Sequence, residues 1–387
     1  MRRANPEVGG HATREPILKR LNSPLHPPGS GGHALLTGRD ASPLATTPLA
    51  AYTAPTPWAG RFQAGGGMSR AEFSYDFPHR HLLSVADLNP VDIAIIFERA
   101  EHFLERNRTP DKSSDGLRGL TVLNLFFEAS TRTQGSFEMA GKRLGADVVN
   151  FAMASSSASK GESLSDTART LAAMRPDILV VRHPATGAPK FLADATGLSV
   201  INAGDGMHEH PTQALLDSFT LAQRWGSVGG RRILIVGDIL HSRVARSNIG
   251  LLNILGAEIR LCAPPTLLPT DVDQWGVDVF HDLDAALVGC DAVMALRQQK
   301  ERMTGGFVPS EREFFHLFGL THERLEVASP DVLVMHPGPM NRGVEIHTRL
   351  ADDPEISLIL DQVESGVAVR MAMLELIGAN IRKGYGS

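Results

Sequence analysis

Val122-Leu123-Asn124-Leu125-Phe126-Phe127-Glu128-Ala129-Ser130-Thr131-Arg132-Thr133, followed by a helical pattern over Ser136–Leu144, contains the fold in miniature. Val122–Phe127 is short and nearly continuous in apolar residues, as a strand covered on both faces by helices should be. Ser136–Leu144 has helical spacing, and a polar loop rich in hydroxyls lies between the two. Outward from this stretch the same order repeats. A helix is expected just after Pro90 (Val91–Arg106), and strand-like runs at Ile178–Val181, Ser199–Asn202, Ile233–Val236, Glu258–Cys262, Val277–Phe280, Ala292–Leu296 and Val332–Met335. Strands alternating with helices imply parallel sheets in an α/β fold.

The series divides at the long helical pattern Pro211–Trp225, which ends in the turn cluster Gly226-Ser227-Val228-Gly229-Gly230. Three strand runs precede it and five follow. The expected organisation is two parallel-sheet α/β domains joined by a helix: residues 68–210, a linking helix 211–226, and residues 227–360. A C-terminal helix, 361–381, is expected to return to the first domain.

Residues 1–67 stand apart. They hold 10 Gly and 9 Pro, with 7 basic and 3 acidic residues, so a net +4 there leaves −9 on the rest of a chain whose total is −5. Stretches such as Pro27-Pro28-Gly29-Ser30-Gly31-Gly32 have no helical or alternating period, and disorder is the expectation. Arg-rich, acid-poor character also fits a targeting peptide, but Pro and Gly at this density oppose the amphipathic helix such peptides form. A dispensable tail, or translation from Met68, is the preferred reading.

The 387 residues are 42% hydrophobic and 21% charged, ordinary for a globular protein. No apolar run reaches the roughly 18 residues of a membrane span. The net charge gives no basic excess for nucleic acid, so any anion site must be a local gathering of Arg. Cys262 and Cys290 are too few for a zinc module or disulfide framework, which fits a reducing, cytoplasmic setting.

In open α/β sheets ligands bind beyond the carboxyl ends of strands. The residues that follow the runs here are Ser130-Thr131-Arg132-Thr133, Arg182-His183-Pro184, Gly204-Asp205-Gly206 with His210-Pro211-Thr212-Gln213, Gly237-Asp238 with His241-Ser242-Arg243, Arg297-Gln298-Gln299, and His336-Pro337-Gly338-Pro339. Six strand ends carrying Arg, His, hydroxyls, amides or Gly-Pro turns point to a small, multiply anionic substrate. At the first, hydroxyls, backbone N–H groups and a helix N-terminus converge into a phosphate cradle, and Arg132 adds a planar fork for two oxygens. An ordinary N-cap with a solvated arginine would explain Ser-Thr alone; the whole string favours the cradle.

These strings, with Ser136-Phe137-Glu138, Lys160-Gly161-Glu162 and Arg297-Gln298-Gln299-Lys300-Glu301-Arg302, resemble in order the catalytic chains of the aspartate carbamoyltransferase family, from about Phe77 to Ile381. The first 67 residues have no counterpart in the resemblance. It implies transfer of a carbamoyl group from carbamoyl phosphate to the amino group of L-aspartate. Ser130, Thr131, Arg132 and Thr133 would hold the phosphate. Thr133, Arg182 and His210 would stabilise the charge developing on the carbonyl oxygen. Gln213 and the carbonyls of Gly338 and Pro339 would accept from the carbamoyl NH₂. Some bacterial members have a larger residue at the position of Gly338; because a carbonyl contact ignores the side chain, the difference is expected to cost little. Arg243 and Arg297, assisted by Gln299, would clamp the two carboxylates of aspartate. The Ser-rich segment Ala154–Glu162, a solvated loop on its face, would by resemblance bring Ser156 and Lys160 into a neighbouring subunit's site, making a homotrimer with shared active sites. No dedicated base, metal or organic cofactor is implied, nor any nucleic-acid or membrane partner. A regulatory chain or a dihydroorotase partner is left open.

Three rivals remain. Ornithine carbamoyltransferases usually show a His-Cys-Leu-Pro string and a Ser-Met-Gly loop, both missing here, and Arg243 and Arg297 would repel a cationic amine. A non-catalytic scaffold is disfavoured because every expected catalytic position is filled. Ile235-Val236-Gly237-Asp238 suggests a dinucleotide site, but no Gly-x-Gly-x-x-Gly follows.

Overall fold

Asn89 and Pro90 set the first helix boundary. The Asn89 side chain accepts from the N–H groups of Val91 and Asp92 (2.8 and 3.1 Å), Asp92 accepts from the Asn89 N–H (3.0 Å), and Pro90 occupies a position where no donor is needed. Helix α1 (Pro90–Asn107) therefore begins there, one residue before the expected start. The computed structural model describes residues 77–152, 163–299 and 310–385. Residues 1–67, Ser156, Lys160 and Lys300-Glu301-Arg302, to which the sequence assigns roles, lie outside the described residues.

The first sheet comprises β1 (Thr121–Phe126), β2 (Asp147–Ala152), β3 (Ile178–His183) and β4 (Ser199–Asp205), interleaved with α2 (Thr131–Arg143), α3 (Leu164–Ala173) and α4 (Ala188–Thr196). Its order is β2-β1-β3-β4 and every pairing is parallel. Helix α5 (Pro211–Trp225) leads to the second sheet. That sheet comprises β5 (Arg232–Val236), β6 (Glu258–Cys262), β7 (Asp278–Phe280), β8 (Ala292–Ala295) and β9 (Leu333–Met335), with α6 (Arg243–Ile254), α7 (Leu283–Leu287), α8 (Glu311–Phe318) and α9 (His322–Leu325) between strands. The order is β7-β6-β5-β8-β9, again all parallel. Two helices close the described chain, α10 (Thr348–Ala351) and α11 (Ile359–Tyr385). In each sheet the first strand lies inside, flanked by its successors, so the chain reverses its winding beside β1 and beside β5. Those are the two places where a crevice opens at the strand ends.

Side-chain alternation divides the core of the first sheet. Val122, Phe126, Ile178, Val180 and Ile201 face one cluster with α1, α2, α5 and α11, while Leu123, Leu125, Leu179, Val181 and Val200 face a second cluster with α3 and α4. Helix α11 returns to the first sheet as expected, packing on α1, α2 and α5 through Ala368, Val369, Met371, Ala372, Met373, Leu374 and Ile377, none with measurable exposure. Each large side chain buried in this way stabilises by roughly 2 kcal/mol. Leu251 of α6 joins the same cluster, which ties the two sheets together.

Two local expectations are corrected. Four strands, not three, precede α5: β2 is an edge strand, with Val149 41% exposed, so it lacks the continuous apolar run that marks its neighbours. Helix α2 starts at Thr131 rather than Ser136, which places Thr131, Arg132 and Thr133 in its first turn.

Candidate active site

Ser130 occupies the N-cap position of α2, but its side chain makes no capping hydrogen bond. The first-turn N–H groups have no carbonyl partner within the helix, which makes this end an anion site. Thr133 is buried, whereas Thr131 and Arg132 are exposed. Although open to solvent by surface area, Arg132 has its pKa drawn below the usual arginine value, first by partial burial of its head and then by the positive Arg297. The end of β1 and the end of β8 thus reach the same cleft.

The Arg132 guanidinium also lies against the turn after β9. Gly338 has φ +66°, and a Cβ there would fall 2.8 Å from Arg132 Cζ. The Arg132 head would have to move to admit a side chain at 338. A carbonyl contact ignores the side chain, but the neighbouring arginine does not. His336 shapes this turn: its Nδ1 accepts from the Gly338 N–H at 2.8 Å, so the ring proton is on Nε2, which donates to Glu345 at 3.0 Å.

Across the cleft, Arg182 at the end of β3 and Arg243 in the first turn of α6 share one carboxylate. Glu128 Oε2 accepts from Arg243 Nη2 at 2.7 Å and lies 3.4 Å from Arg182 Nε. Arg243 is 3% exposed and donates also to the Gly206 carbonyl at 3.2 Å. The loop after β4 makes room for both heads. At Gly204 (φ +118°) a Cβ would lie 2.9 Å from Arg243 Cζ and 3.4 Å from Arg182 Nη1. Asn202 accepts from the Gly204 N–H at 2.8 Å and donates to Asp205 at 3.0 Å, which holds the loop in that conformation.

His210 precedes α5, 3% exposed, and neither ring nitrogen has a hydrogen-bond partner among the described residues. Burial above all, then the charges of Arg182, Arg370 and Arg243, hold its pKa well below the ordinary histidine value. At neutral pH that makes it an uncharged imidazole in the field of three arginines, its N–H without a partner among the described residues. One turn later, Gln213 Nε2 donates to Asp217 at 2.9 Å. Arg297 donates to the Gln299 side chain at 3.4 Å, and the Gln299 N–H donates to the buried Asp238 at 2.9 Å. Among the described residues no group of three or more His, Cys, Asp or Glu is gathered as a metal site, and no helix is long and apolar enough to cross a membrane.

The structure brings Arg132, Gly338 and Arg297 together at one side and Arg182, Arg243 and His210 at the other. Sequence reasoning missed the part played by Glu128, although it stands two residues before Ser130; a lone acid beside an anion cradle was the available signal. It also missed Asp217 and Glu345, which carry no motif of their own, and the room that Gly204 makes for the two arginine heads.

Two parallel α/β sheets whose switch-point ends face one another across arginines, hydroxyls and a neutral histidine define a group-transfer enzyme for two anionic substrates. Residues 80–223 match the family model described as the carbamoyl-P binding domain of aspartate/ornithine carbamoyltransferase, and residues 229–377 match its Asp/Orn binding domain. The chain belongs to the aspartate/ornithine carbamoyltransferase family. It is 91% identical over 316 residues to the aspartate carbamoyltransferase catalytic subunit of Maricaulis maris, covering 82% of this chain and 99% of that one. With the corresponding subunit of Parvibaculum lavamentivorans it shares 59% over 305 residues, 79% of this chain and 93% of the other. Among solved structures, aspartate transcarbamoylase from Trypanosoma cruzi in complex with carbamoyl phosphate and aspartate superposes with TM-score 0.68 at 33% identity, covering 76% of this chain and 95% of that one. Ornithine carbamoyltransferase from Pyrococcus furiosus superposes with TM-score 0.71 at 27% identity, covering 78% and 98%.

Proposed function

We propose that this protein is an aspartate carbamoyltransferase: it transfers the carbamoyl group of carbamoyl phosphate to the amino group of L-aspartate, giving N-carbamoyl-L-aspartate and phosphate, an early step of de novo pyrimidine synthesis in the cytoplasm. The observation that carries this reading is the pairing of a phosphate cradle at the start of α2 with Arg243 and Arg297 at strand ends of the second sheet. The fold alone does not choose the acceptor, since an ornithine enzyme superposes equally well. Two arginines suit a dicarboxylate and would repel a cationic side chain, and the high identity to aspartate enzymes agrees.

In the proposed reaction the cradle residues Ser130, Thr131, Arg132 and Thr133 bind the phosphate. Thr133, Arg182 and His210 donate to the carbamoyl oxygen as negative charge builds there. His210, with its pKa held well below the ordinary histidine value by burial, donates as an uncharged imidazole N–H. Gln213 and the carbonyls of Gly338 and Pro339 accept from the NH₂, and Arg243, Arg297 and Gln299 hold aspartate. The uncharged amine of aspartate attacks, the new N–C bond forms, the C–O bond to phosphate breaks, and the departing phosphate takes the amine proton and leaves as HPO₄²⁻. Catalysis is then mainly positioning and electrostatics.

Supplying purified protein with carbamoyl phosphate and either L-aspartate or L-ornithine tests the reading by ureido product. Product from ornithine alone, or from neither, refutes it. The same reading makes the enzyme a homotrimer with Ser156 and Lys160 delivered from the neighbouring subunit. Hybrids of inactive Lys160→Ala and Arg132→Ala chains should recover activity, and verified hybrids without recovery would refute site sharing. Native mass with candidate partners would show whether a regulatory chain or dihydroorotase joins.

A further inference from the structure

Beneath the cleft lies a buried polar cluster of which the proposed reaction uses only Gln213 directly. Asp217 of α5 has no exposed surface and accepts from three side-chain amides. Oδ1 receives Gln213 Nε2 at 2.9 Å and Gln362 Nε2 of α11 at 2.7 Å, and Oδ2 receives Asn248 Nδ2 of α6 at 2.9 Å. Gln362 then accepts, through Oε1, from the backbone N–H of His336 at 2.9 Å, and His336 Nδ1 accepts from the Gly338 N–H. One chain of bonds thus runs from Gln213 through Asp217 and Gln362 to the Gly338-Pro339 turn.

The chemistry of the end groups sets the direction of every bond in that chain. An ionised carboxylate only accepts, so Gln213 must turn its NH₂ toward Asp217 and its Oε1 away. A backbone N–H only donates, so Gln362 must turn Oε1 to His336 and its NH₂ to Asp217. Burial raises the Asp217 carboxyl to about 6, opposed by its three amide donors and then by Arg370, so it is ionised at and above neutral pH.

We propose that Asp217 is a positioning residue that fixes which end of the Gln213 carboxamide faces the transferred group, and that Gln362 extends this control to the Gly338-Pro339 turn. The inference rests on the proposed carbamoyl transfer. The cluster then acts as a reader of the substrate's NH₂: acceptors are held toward it from α5 and from the turn after β9. A donor with a methyl in that place forgoes these bonds. Left unanchored, Gln213 could present either end, and the preference for NH₂ over CH₃ would weaken.

The test compares carbamoyl phosphate with acetyl phosphate, in which a methyl replaces the NH₂, by kcat/KM with L-aspartate as acceptor. Asp217→Ala should lower the preference for carbamoyl phosphate about tenfold, the scale of one oriented hydrogen bond. Asp217→Asn keeps an oxygen for Gln213 and Gln362 while Asn248 turns over to meet its NH₂, so it should restore most of the preference. In a Gln213→Ala background, Asp217→Ala should change the preference by less than it does in the wild type, because only the route through Gln362 to the turn is left to lose. Should Asp217→Ala fail to fold, Gln362→Met, of similar volume, should still reduce the preference by severing the link to His336. Equal losses with both donors, or an unchanged preference in Asp217→Ala or Gln362→Met, would overturn the inference. Wild-type protein inactive with carbamoyl phosphate would instead overturn the proposed function, before any variant is made.

Discussion

Replacing Gly338 by alanine should impair turnover as well as stability, and the structure says by how much. Its φ of +66° is unfavourable for any residue with a Cβ, at a cost of ~1–2 kcal/mol. A Cβ would also stand 2.8 Å from Arg132 Cζ, whereas carbon atoms settle at about 3.5–4.0 Å. The guanidinium is the far end of a flexible side chain and can retreat by the required ~0.7–1.2 Å. Retreat removes the clash but moves the charge assigned to the phosphate, and displacement of that size can cost on the order of 100-fold in rate. Gly343 supplies the control: it lies in the same connection with φ +80° and nothing within 4 Å of its Cβ. Both alanine variants should therefore unfold at lower urea, by the same ~1–2 kcal/mol. Only Gly338→Ala should lose kcat, by about 10- to 100-fold, in an assay of carbamoyl-aspartate formation at saturating substrates. Comparable kcat values for the two variants, or a Gly338→Ala enzyme within about twofold of wild type, would refute the steric coupling to Arg132.

Three further outcomes follow from the site. Glu128→Gln keeps the shape but removes the charge shared by Arg182 and Arg243, and should raise the aspartate requirement about tenfold, as expected for a charged hydrogen bond worth ~1.5 kcal/mol; an unchanged aspartate KM would show that Glu128 does not hold Arg243 in place. Nitrogen NMR of His210 should find a neutral ring throughout the ordinary histidine range, and a titration near the usual value would contradict its burial among arginines. The His210 depression also makes stability pH-dependent: the unfolded chain binds the proton more readily, so its contribution is intact above about pH 6.5 and declines as pH falls below it. Urea melts at pH 7.5 and 5.5 should show that decline reduced in His210→Asn, and an identical decline would assign it to other groups.

The alternation of β and α, the returning C-terminal helix and the strand-end motifs were readable because each is local. A buried parallel strand must be apolar along its length, and a helix start must offer its N–H groups whatever lies elsewhere in the chain. β2 escaped because an edge strand is only half covered and need not be continuously apolar. Helix α2 began five residues early because Ser-Thr-Arg-Thr reads as a loop in sequence, while its backbone can still take helical angles.

The positions that decide how the site is held were not legible in this way. Glu128 matters because Arg243, 115 residues away, meets it, and Asp217 because Gln362 reaches it from 145 residues away. Gly338 became consequential only when packing laid Arg132 against it. The sequence by itself therefore determined the class of fold, the family resemblance and the side chains offered to two anionic substrates. Only the tertiary structure decided which carboxylate restrains the arginines, which glycines make room for them and which way the buried amides point, because each depends on a partner that local chain chemistry does not specify.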